Sequence, residues 1–372
     1  MTQVKRDYAP HETASTPATG EGLRSPIPGL NRHAAGMFFC ALASLSYTLA
    51  NVCMRKLSEL SVPESLAIFS KESLPAVVLG LGLAWALARR RKCLPPWKIV
   101  IEVVFVALAV QLVANVGVQW AMGVIGLAIN VPVNLGAMLV ATALFGSWIL
   151  RERVSRRTWC AVALLIGALV VLGLSAARIA DRTEILPAEA GQTLIGTASV
   201  APASELASAP PRLILAAAAA VFASILGGCI YATLSLTLRR HATNRDQALF
   251  VMFVVTGMGG LTLGLLSLWN IEFSLFGSSV EFSGLNWRDF AAIPPNQCAW
   301  MIVAGLANLG GFVAIAIGLQ LIPIVHASVF NASQVALAAI AGVVFFPEPV
   351  TAGLLAGVAL TVVGITLIDP PE

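Results

Sequence analysis

Ten apolar segments of about 20 residues each follow one another along the chain after residue 33. A helix needs about 20 apolar residues to cross the hydrocarbon core of a bilayer. In lipid, only helices and closed barrels satisfy the backbone, and the short alternating segments of a barrel do not occur in this sequence. The sequence therefore predicts an all-α polytopic membrane protein with ten transmembrane helices, at 36–56, 66–88, 99–121, 127–149, 158–177, 213–237, 247–269, 299–321, 324–346 and 351–369.

The composition excludes a water-soluble globular enzyme. Charged residues make up 11% of the chain and hydrophobic residues 58%, whereas an ordinary soluble domain carries about 25% charged residues. No basic patch with interleaved aromatic residues occurs, so we expect no nucleic-acid partner. The expected partners are membrane lipid and a small-molecule metabolite, and a homodimer is compatible with the sequence.

Polar stretches divide the chain into four parts. Residues 1–33 are rich in Pro, Thr, Ser and charge, which is typical of a disordered tail. Residues 34–177 and 213–369 each contain five of the predicted helices. The Ala/Pro/Ser/Thr-rich segment 178–212 between them is expected to be a flexible outer loop.

The distribution of Lys and Arg predicts the orientation in the membrane. With the N-terminus inside, 16 of these residues lie on the inner side and 6 on the outer side. Cytoplasmic connections carry the excess of Lys and Arg, so both termini are expected in the cytoplasm. The expected location is a bacterial inner membrane, or an endomembrane if the source is eukaryotic.

The two five-helix parts contain a weak internal repeat. Asn134 precedes Glu152 by 18 residues, and Asn331 precedes Glu348 by 17. Because each part has an odd number of helices, the second must be inserted upside down relative to the first. The sequence therefore predicts two inverted five-helix repeats, a common design of transporters whose site lies where the repeats meet.

Amide side chains recur inside the predicted third and fourth helices. Gln111, Asn115 and Gln119 repeat every four residues, which places them on one face of a helix. Buried amides either bond neighbouring helices or line a hydrated cavity, and for this set as a whole we favour the cavity. The candidate substrate-binding residues are Asn115, Gln119, Gln111, Asn130, Asn134, Asn331, Gln334, Lys71 and Arg55.

Charged side chains near the predicted outer half have two interpretations. Arg55 and Lys71 either extend to the membrane interface or face inward toward an anionic solute. Glu72 is the one carboxylate well inside a predicted helix, so coupling to protons would depend on it, with His326 as the second candidate. A lone histidine in such a helix is more often a hydrogen-bonded core residue than a proton relay, and we expect the former for His326.

No motif for enzymatic chemistry occurs in the sequence. It lacks a phosphate-binding Gly-rich Lys-Ser/Thr loop and a His-Glu-x-x-His pair. We therefore expect no enzymatic activity, no catalytic residue, no metal site and no cofactor.

Several strings resemble nucleotide-sugar transporters of the drug/metabolite transporter superfamily. Met54-Arg55 is similar to the Met-Arg-Tyr-Ser that follows their first helix, and 142–145 with Trp159 to their Thr-Ala-Leu-Phe…Trp. The string 345–351 is similar to their Phe-Gly-Glu-Pro-Val-Thr. This resemblance implies that Asn115 lies near a nucleotide contact, but Met138 stands where that branch has a phosphate-facing lysine.

The EamA-type permeases, another branch of that superfamily, fit the sequence better. They tolerate such variation and handle amino acids or other small metabolites, and Lys71 is similar in position to an arginine of their second helix. The expected function is an alternating-access secondary transporter or exporter of a small polar organic metabolite. A nucleotide-sugar or nucleotide antiporter-like carrier is one alternative, and a non-transporting membrane scaffold or receptor that uses the 178–212 loop is the second.

Overall fold

A computed structural model describes residues 31–91, 93–149, 156–183, 211–241, 245–269, 271–275, 278–283, 291–321 and 324–367. Within these residues the chain forms ten helices, numbered α1 to α10, and one antiparallel hairpin of strands β1 and β2. The helices are Arg32–Glu59, Glu64–Ala88, Trp97–Ile125, Leu127–Ile149, Arg156–Thr183, Pro211–His241, Arg245–Leu266, Pro295–Leu321, Ile324–Phe345 and Ala352–Thr366. The strands are Ile271–Leu275 and Ser278–Phe282.

Each apolar segment predicted from the sequence overlaps one of these helices. In six of them, α1, α2, α3, α6, α7 and α8, the described residues are long and apolar enough to cross a membrane. The other four contribute shorter apolar helices of 10–17 residues within the part of the chain that the structure describes. The chain is therefore an integral, multi-pass helical membrane protein.

The helix ends differ from the predicted ones by several residues. Asn31 caps α1, and its side chain accepts a hydrogen bond from the backbone N–H of Ala34 at 2.7 Å. This cap starts the helix at Arg32, four residues before the predicted position. At the other end of the first half, α5 continues to Thr183. Residues 1–30 of the predicted tail and 184–210 of the predicted outer loop lie outside the described residues.

The hairpin is an element that the all-α prediction missed. It lies in the connection between α7 and α8, and it is anchored to the start of α2. The backbone N–H of Ser283 donates to Ser65 Oγ at 3.1 Å, and Ser267 Oγ donates to the same oxygen at 2.7 Å. The hairpin thus covers one end of the bundle beside α2 and α7.

The helices of the two halves pack against each other in matching pairs. Helix α1 packs on α8 and α9, and α6 packs on α3 and α4. Helix α2 contacts α8, and α7 contacts α3. Helices that occupy the same position in the two halves also contact each other in three pairs: α2 with α7, α4 with α9 and α5 with α10.

The outside of the bundle is more apolar than the surface of a soluble protein. Large apolar side chains such as Leu81 and Phe105 are 68% and 75% exposed on the outside. The amides of Gln111, Gln119 and Asn130 are buried inside. An apolar exterior matches a lipid environment, and the amides are gathered where helices of both halves meet.

Candidate functional site

A cavity of about 330 Å³ lies between eight of the ten helices. Helices α3, α4, α8 and α9 contribute to its wall, and α1, α2, α6 and α7 contribute as well. The polar side chains on the described part of this wall are those of Tyr47, Asn51, Lys71, Glu72, Gln111, Asn115, Gln119, Asn134, Tyr231, Ser235, Asn308 and Gln334.

Asn115 joins three helices at the cavity. Its Oδ1 accepts hydrogen bonds from Lys71 Nζ of α2 at 3.2 Å and from the Tyr231 hydroxyl of α6. Its Nδ2 donates to Gln111 Oε1 one turn earlier in α3. The amide is 6% exposed, so these bonds replace water that it would otherwise bind.

Lys71 and Glu72 form an ion pair in the cavity wall. Lys71 Nζ lies 3.3 Å from Glu72 Oε1, and the two side chains are 17% and 4% exposed. The other carboxylate oxygen, Glu72 Oε2, is buried and has no hydrogen-bond partner among the described residues. The pair is electrically balanced, and both of its members are held in the cavity wall.

The backbone of α3 departs from α-helical geometry at the polar residues. Residues Val110–Asn115 form a π-helical turn, a feature that occurs frequently at functional sites. Gln111 lies within this turn, and its Nε2 donates to the carbonyl oxygen of Val255 in α7 at 2.8 Å. The turn and this bond fix the amides of α3 against the second half of the chain.

Two further predicted residues line the cavity and each bonds a neighbouring helix. Gln119 Nε2 donates to the carbonyl oxygen of Met54 in α1 at 3.0 Å. Asn134 Nδ2 donates to the carbonyl oxygen of Ser224 in α6, also at 3.0 Å. Their amides combine the two roles that the sequence left open, because they bond helices together and also face the cavity.

Asn130 and Arg55 lie outside the described cavity wall. Asn130 Nδ2 donates to the carbonyl oxygen of Val118, and its Oδ1 accepts from Ser224 Oγ. Both ends of this amide therefore bond neighbouring helices. Arg55 lies at the end of α1, and its Nε is 3.6 Å from Glu348 Oε1.

Glu348 connects the second half of the chain to the first. Its two carboxylate oxygens accept hydrogen bonds from the backbone N–H groups of Leu127 and Ala128, each at 2.7 Å. These N–H groups are at the start of α4, where a carboxylate is stabilised by the unpaired donors of the helix. Glu348, Arg55 and these two N–H groups are called the Glu348 clamp below.

Gly126 makes room for the clamp. It separates α3 from α4 with a φ of +78°, a conformation that favours glycine. A Cβ at this position would lie 2.6 Å from Glu348 Oε1. The absence of a side chain therefore allows both the turn and the close approach of the carboxylate.

The remaining predicted residues belong to α9. Gln334 lines the cavity and is 7% exposed. Asn331 and His326 fall within the helix, but their side chains lie outside the described residues.

Tyr47, Tyr231 and Asn308 line the cavity and were not predicted from the sequence. Tyr47 stacks edge-on against Phe312 of α8, with ring centroids 5.9 Å apart. Asn308 Nδ2 donates to the backbone carbonyl of Lys71 at 3.3 Å. The chain has 3 tyrosines, of which these two fall within predicted membrane helices, and this was the signal that could have identified them.

The described residues contain no group of three or more His, Cys, Asp or Glu side chains that could hold a metal ion. The chemistry that the cavity offers is that of amides, phenols and one ion pair. Such groups bind and orient a polar solute through hydrogen bonds.

A solved structure, described only as "Crystal structure of protein", resembles this fold over most of its length. It is 15% identical in sequence, with a TM-score of 0.50. The match covers 90% of this chain and 96% of that one. At this identity the likeness shows the fold alone. No curated protein matches the chain.

The second half of the chain matches a family model. Residues 216–368, which include most of α6 and all of α7 to α10, match the EamA-like transporter family. Members of this family are generally membrane transporters without enzymatic activity. Residues 216–368 thus match the EamA-like transporter family of the drug/metabolite transporter superfamily, which confirms the predicted resemblance over this part of the chain.

Proposed function

We propose that the protein is a secondary transporter that carries a small polar organic metabolite across the membrane by alternating access. The observation that carries this proposal is the cavity of about 330 Å³ between helices of both halves. Small-molecule sites typically measure about 300–1,000 Å³, so the cavity has the size of a small metabolite. Its wall combines amides and an ion pair with apolar residues such as Met54 and Phe312.

The packing of the helices supports two inverted halves that cross the membrane ten times. Contacts of α1 with α8 and α9 have counterparts in those of α6 with α3 and α4. The contact of α2 with α8 has its counterpart in that of α7 with α3. Such a pattern is expected when a pseudo-twofold axis relates the halves, with the cavity lying on that axis.

The Glu348 clamp supports a conformation that is closed at one end. It joins the end of α9 to the start of α4 and, through Arg55, to the end of α1. By the predicted orientation this is the outer end. In our proposal the clamp holds the two halves together while the cavity is reached from the opposite end.

Glu72 is the proposed coupling group. It is the one acidic residue on the described cavity wall, and it is buried beside Lys71. A carboxylate in this position can exchange its bond to Lys71 for a bond to a proton or solute. Such an exchange would also alter the hydrogen bond of Asn115, because its Oδ1 accepts from the same Lys71 ammonium group.

Uptake into proteoliposomes tests the proposed function. Purified full-length protein is reconstituted and assayed with a panel of labelled polar metabolites, against liposomes without protein. We expect saturable uptake of at least one solute. We also expect Lys71→Ala to reduce uptake about tenfold or more, because it removes a partner of both Glu72 and Asn115.

Lys56→Ala is the matched control. Lys56 forms an exposed ion pair with Glu59 at the end of α1, away from the cavity wall. Its replacement is expected to leave uptake unchanged. Equal uptake by Lys71→Ala and wild type would remove the proposed site, and no flux over a broad panel would contradict the transporter proposal.

A further inference from the structure

The orientation of four cavity amides is fixed by their partners. The side-chain nitrogens of Gln111, Gln119, Asn134 and Asn308 each donate to a backbone carbonyl oxygen. A carbonyl oxygen can only accept, so the NH₂ group of each amide must face it. The amide oxygen of each residue must therefore point the other way.

Three of these amide oxygens have no donor among the described residues. They belong to Gln119, Asn134 and Asn308, whose side chains are nine-tenths or more buried in the cavity wall. The oxygen of Gln111 is the exception, because it accepts from Asn115. The unbonded groups of these amides are thus hydrogen-bond acceptors.

Glu72 adds a further acceptor. Glu72 is 3% exposed and lines the cavity, and its Oε2 has no hydrogen-bond partner among the described residues. A buried carboxylate oxygen without a donor is costly. Oε2 is itself buried in this conformation, so a donor of a bound solute reaches it after the carboxylate turns toward the cavity.

The positive charge of the cavity is already balanced. Lys71 is the one Lys or Arg on the described wall, and it pairs with Glu72. Arg55, the other cation considered for an anionic solute, pairs with Glu348 outside the wall. An anionic solute would therefore find no unpaired cation on the described wall.

We infer that the transported solute is rich in hydrogen-bond donors and carries no net negative charge. Ammonium and hydroxyl groups both supply the required donors, and carboxylates and phosphates do not. This inference rests on the proposed transport function and narrows its substrate class. It also disfavours the nucleotide-like alternative, since a nucleotide carries anionic phosphate.

Binding of three solutes with the same number of carbon atoms tests the inference. The full chain in nanodiscs is titrated by calorimetry with 1,4-diaminobutane, erythritol and succinate, which offer ammonium donors, hydroxyl donors and carboxylate acceptors. We expect the diamine or erythritol to bind at least about tenfold more tightly than succinate. The solute that binds more tightly shows whether ammonium or hydroxyl groups are the preferred donors.

Variants of Glu72 separate the two sources further. If the diamine is the preferred arm, Glu72→Gln is expected to weaken its binding about tenfold, because the charge-assisted bond is lost. If erythritol is preferred, its binding is expected to change only about twofold, since an amide oxygen still accepts. Glu59→Gln, which alters an exposed carboxylate in α1, is the control and is expected to change neither. Melting curves of each variant verify the fold.

Succinate binding as tightly as the other two solutes would overturn the inference and leave the transporter proposal standing. Failure of all three to bind to a protein with an intact melting transition would overturn it too. Absence of flux for any solute in the uptake assay would instead remove the proposed function, and the order of binding would still decide the chemistry of the cavity.

Discussion

Replacing Glu348 by Ala is expected to lower the free energy of unfolding by about 1.5–3 kcal/mol, the range for hydrogen bonds to a charged group. The change leaves the N–H groups of Leu127 and Ala128 without their acceptors and Arg55 without its counter-charge. The side chains of Arg55 and Glu348 are only 17% and 11% exposed, so water replaces these bonds poorly. Unfolding of the purified protein in mixed micelles with increasing denaturing detergent measures the effect.

A surface ion pair provides the control for this prediction. Glu59→Ala removes the partner of Lys56 from a pair whose side chains are 31% and 38% exposed, and it is expected to cost at most about 1 kcal/mol. A loss below about 1 kcal/mol for Glu348→Ala as well would contradict the clamp.

Gly126 allows a second test of the same contact. Gly126→Ala adds a Cβ 2.6 Å from Glu348 Oε1 in a backbone with φ of +78°, and we expect it to destabilise the protein by about 1–3 kcal/mol. Gly167→Ala is the matched control, because a Cβ there meets nothing within 4 Å. Equal stability of the two variants would argue against close contact between Gly126 and Glu348.

Replacing Asn115 by Ala is expected to reduce solute flux about tenfold to a hundredfold, the loss that follows when buried polar groups are left unpaired in a binding site. Three groups each lose one hydrogen-bond partner at once: Lys71 Nζ, the Tyr231 hydroxyl and Gln111 Oε1. These groups belong to α2, α6 and α3. The substitution therefore removes side-chain bonds that hold helices of both halves together at the cavity wall. Initial rates of uptake, normalised to folded protein, measure the effect.

The control for Asn115 is the same substitution in an exposed amide. Asn296→Ala changes a residue at the start of α8 whose exposed side chain accepts a hydrogen bond from the neighbouring Gln297 N–H. Its flux is expected to equal that of the wild type. A flux of Asn115→Ala within twofold of the control would contradict the central position that the structure gives this residue.

The helices could be predicted from the sequence because length and apolarity alone define a segment that suits a bilayer. Each predicted segment overlaps an observed helix, including α4 and α10, whose described apolar stretches are short. Helix ends were less predictable, because they depend on local bonds such as the Asn31 cap. The β1–β2 hairpin was missed because its strands are only five residues each and lie in a connection between helices.

Part of the candidate site also followed from local spacing. The four-residue repeat of Gln111, Asn115 and Gln119 placed these amides on one face, and that face is buried at the cavity. The same reasoning could not separate Asn130 from Asn134. Both amides bond Ser224 of α6, and the further bond of Asn130 to the carbonyl oxygen of Val118 in α3 occupies both ends of that amide, which lies outside the described wall.

The rest of the site depends on contacts between distant parts of the chain. Arg55 and Glu348 are nearly 300 residues apart, so no local pattern pairs them, and Arg55 remained a candidate for a solute. Tyr231 and Asn308 reach the cavity because α6 and α8 pack against the first half. The π-helical turn at Val110–Asn115 likewise has no signature in spacing, since the amides still repeat every four residues.

Access to the cavity from both sides of the membrane is the most direct test of two inverted halves around one site. The 6 native cysteines are replaced, Ser235→Cys is introduced on the cavity wall, and a membrane-impermeant thiol reagent is added to either side of oriented proteoliposomes. We expect Ser235→Cys to react from both sides and the lipid-facing Phe105→Cys to react from neither. Reaction of the cavity position from one side only, in the presence and absence of transported solute, would contradict alternating access.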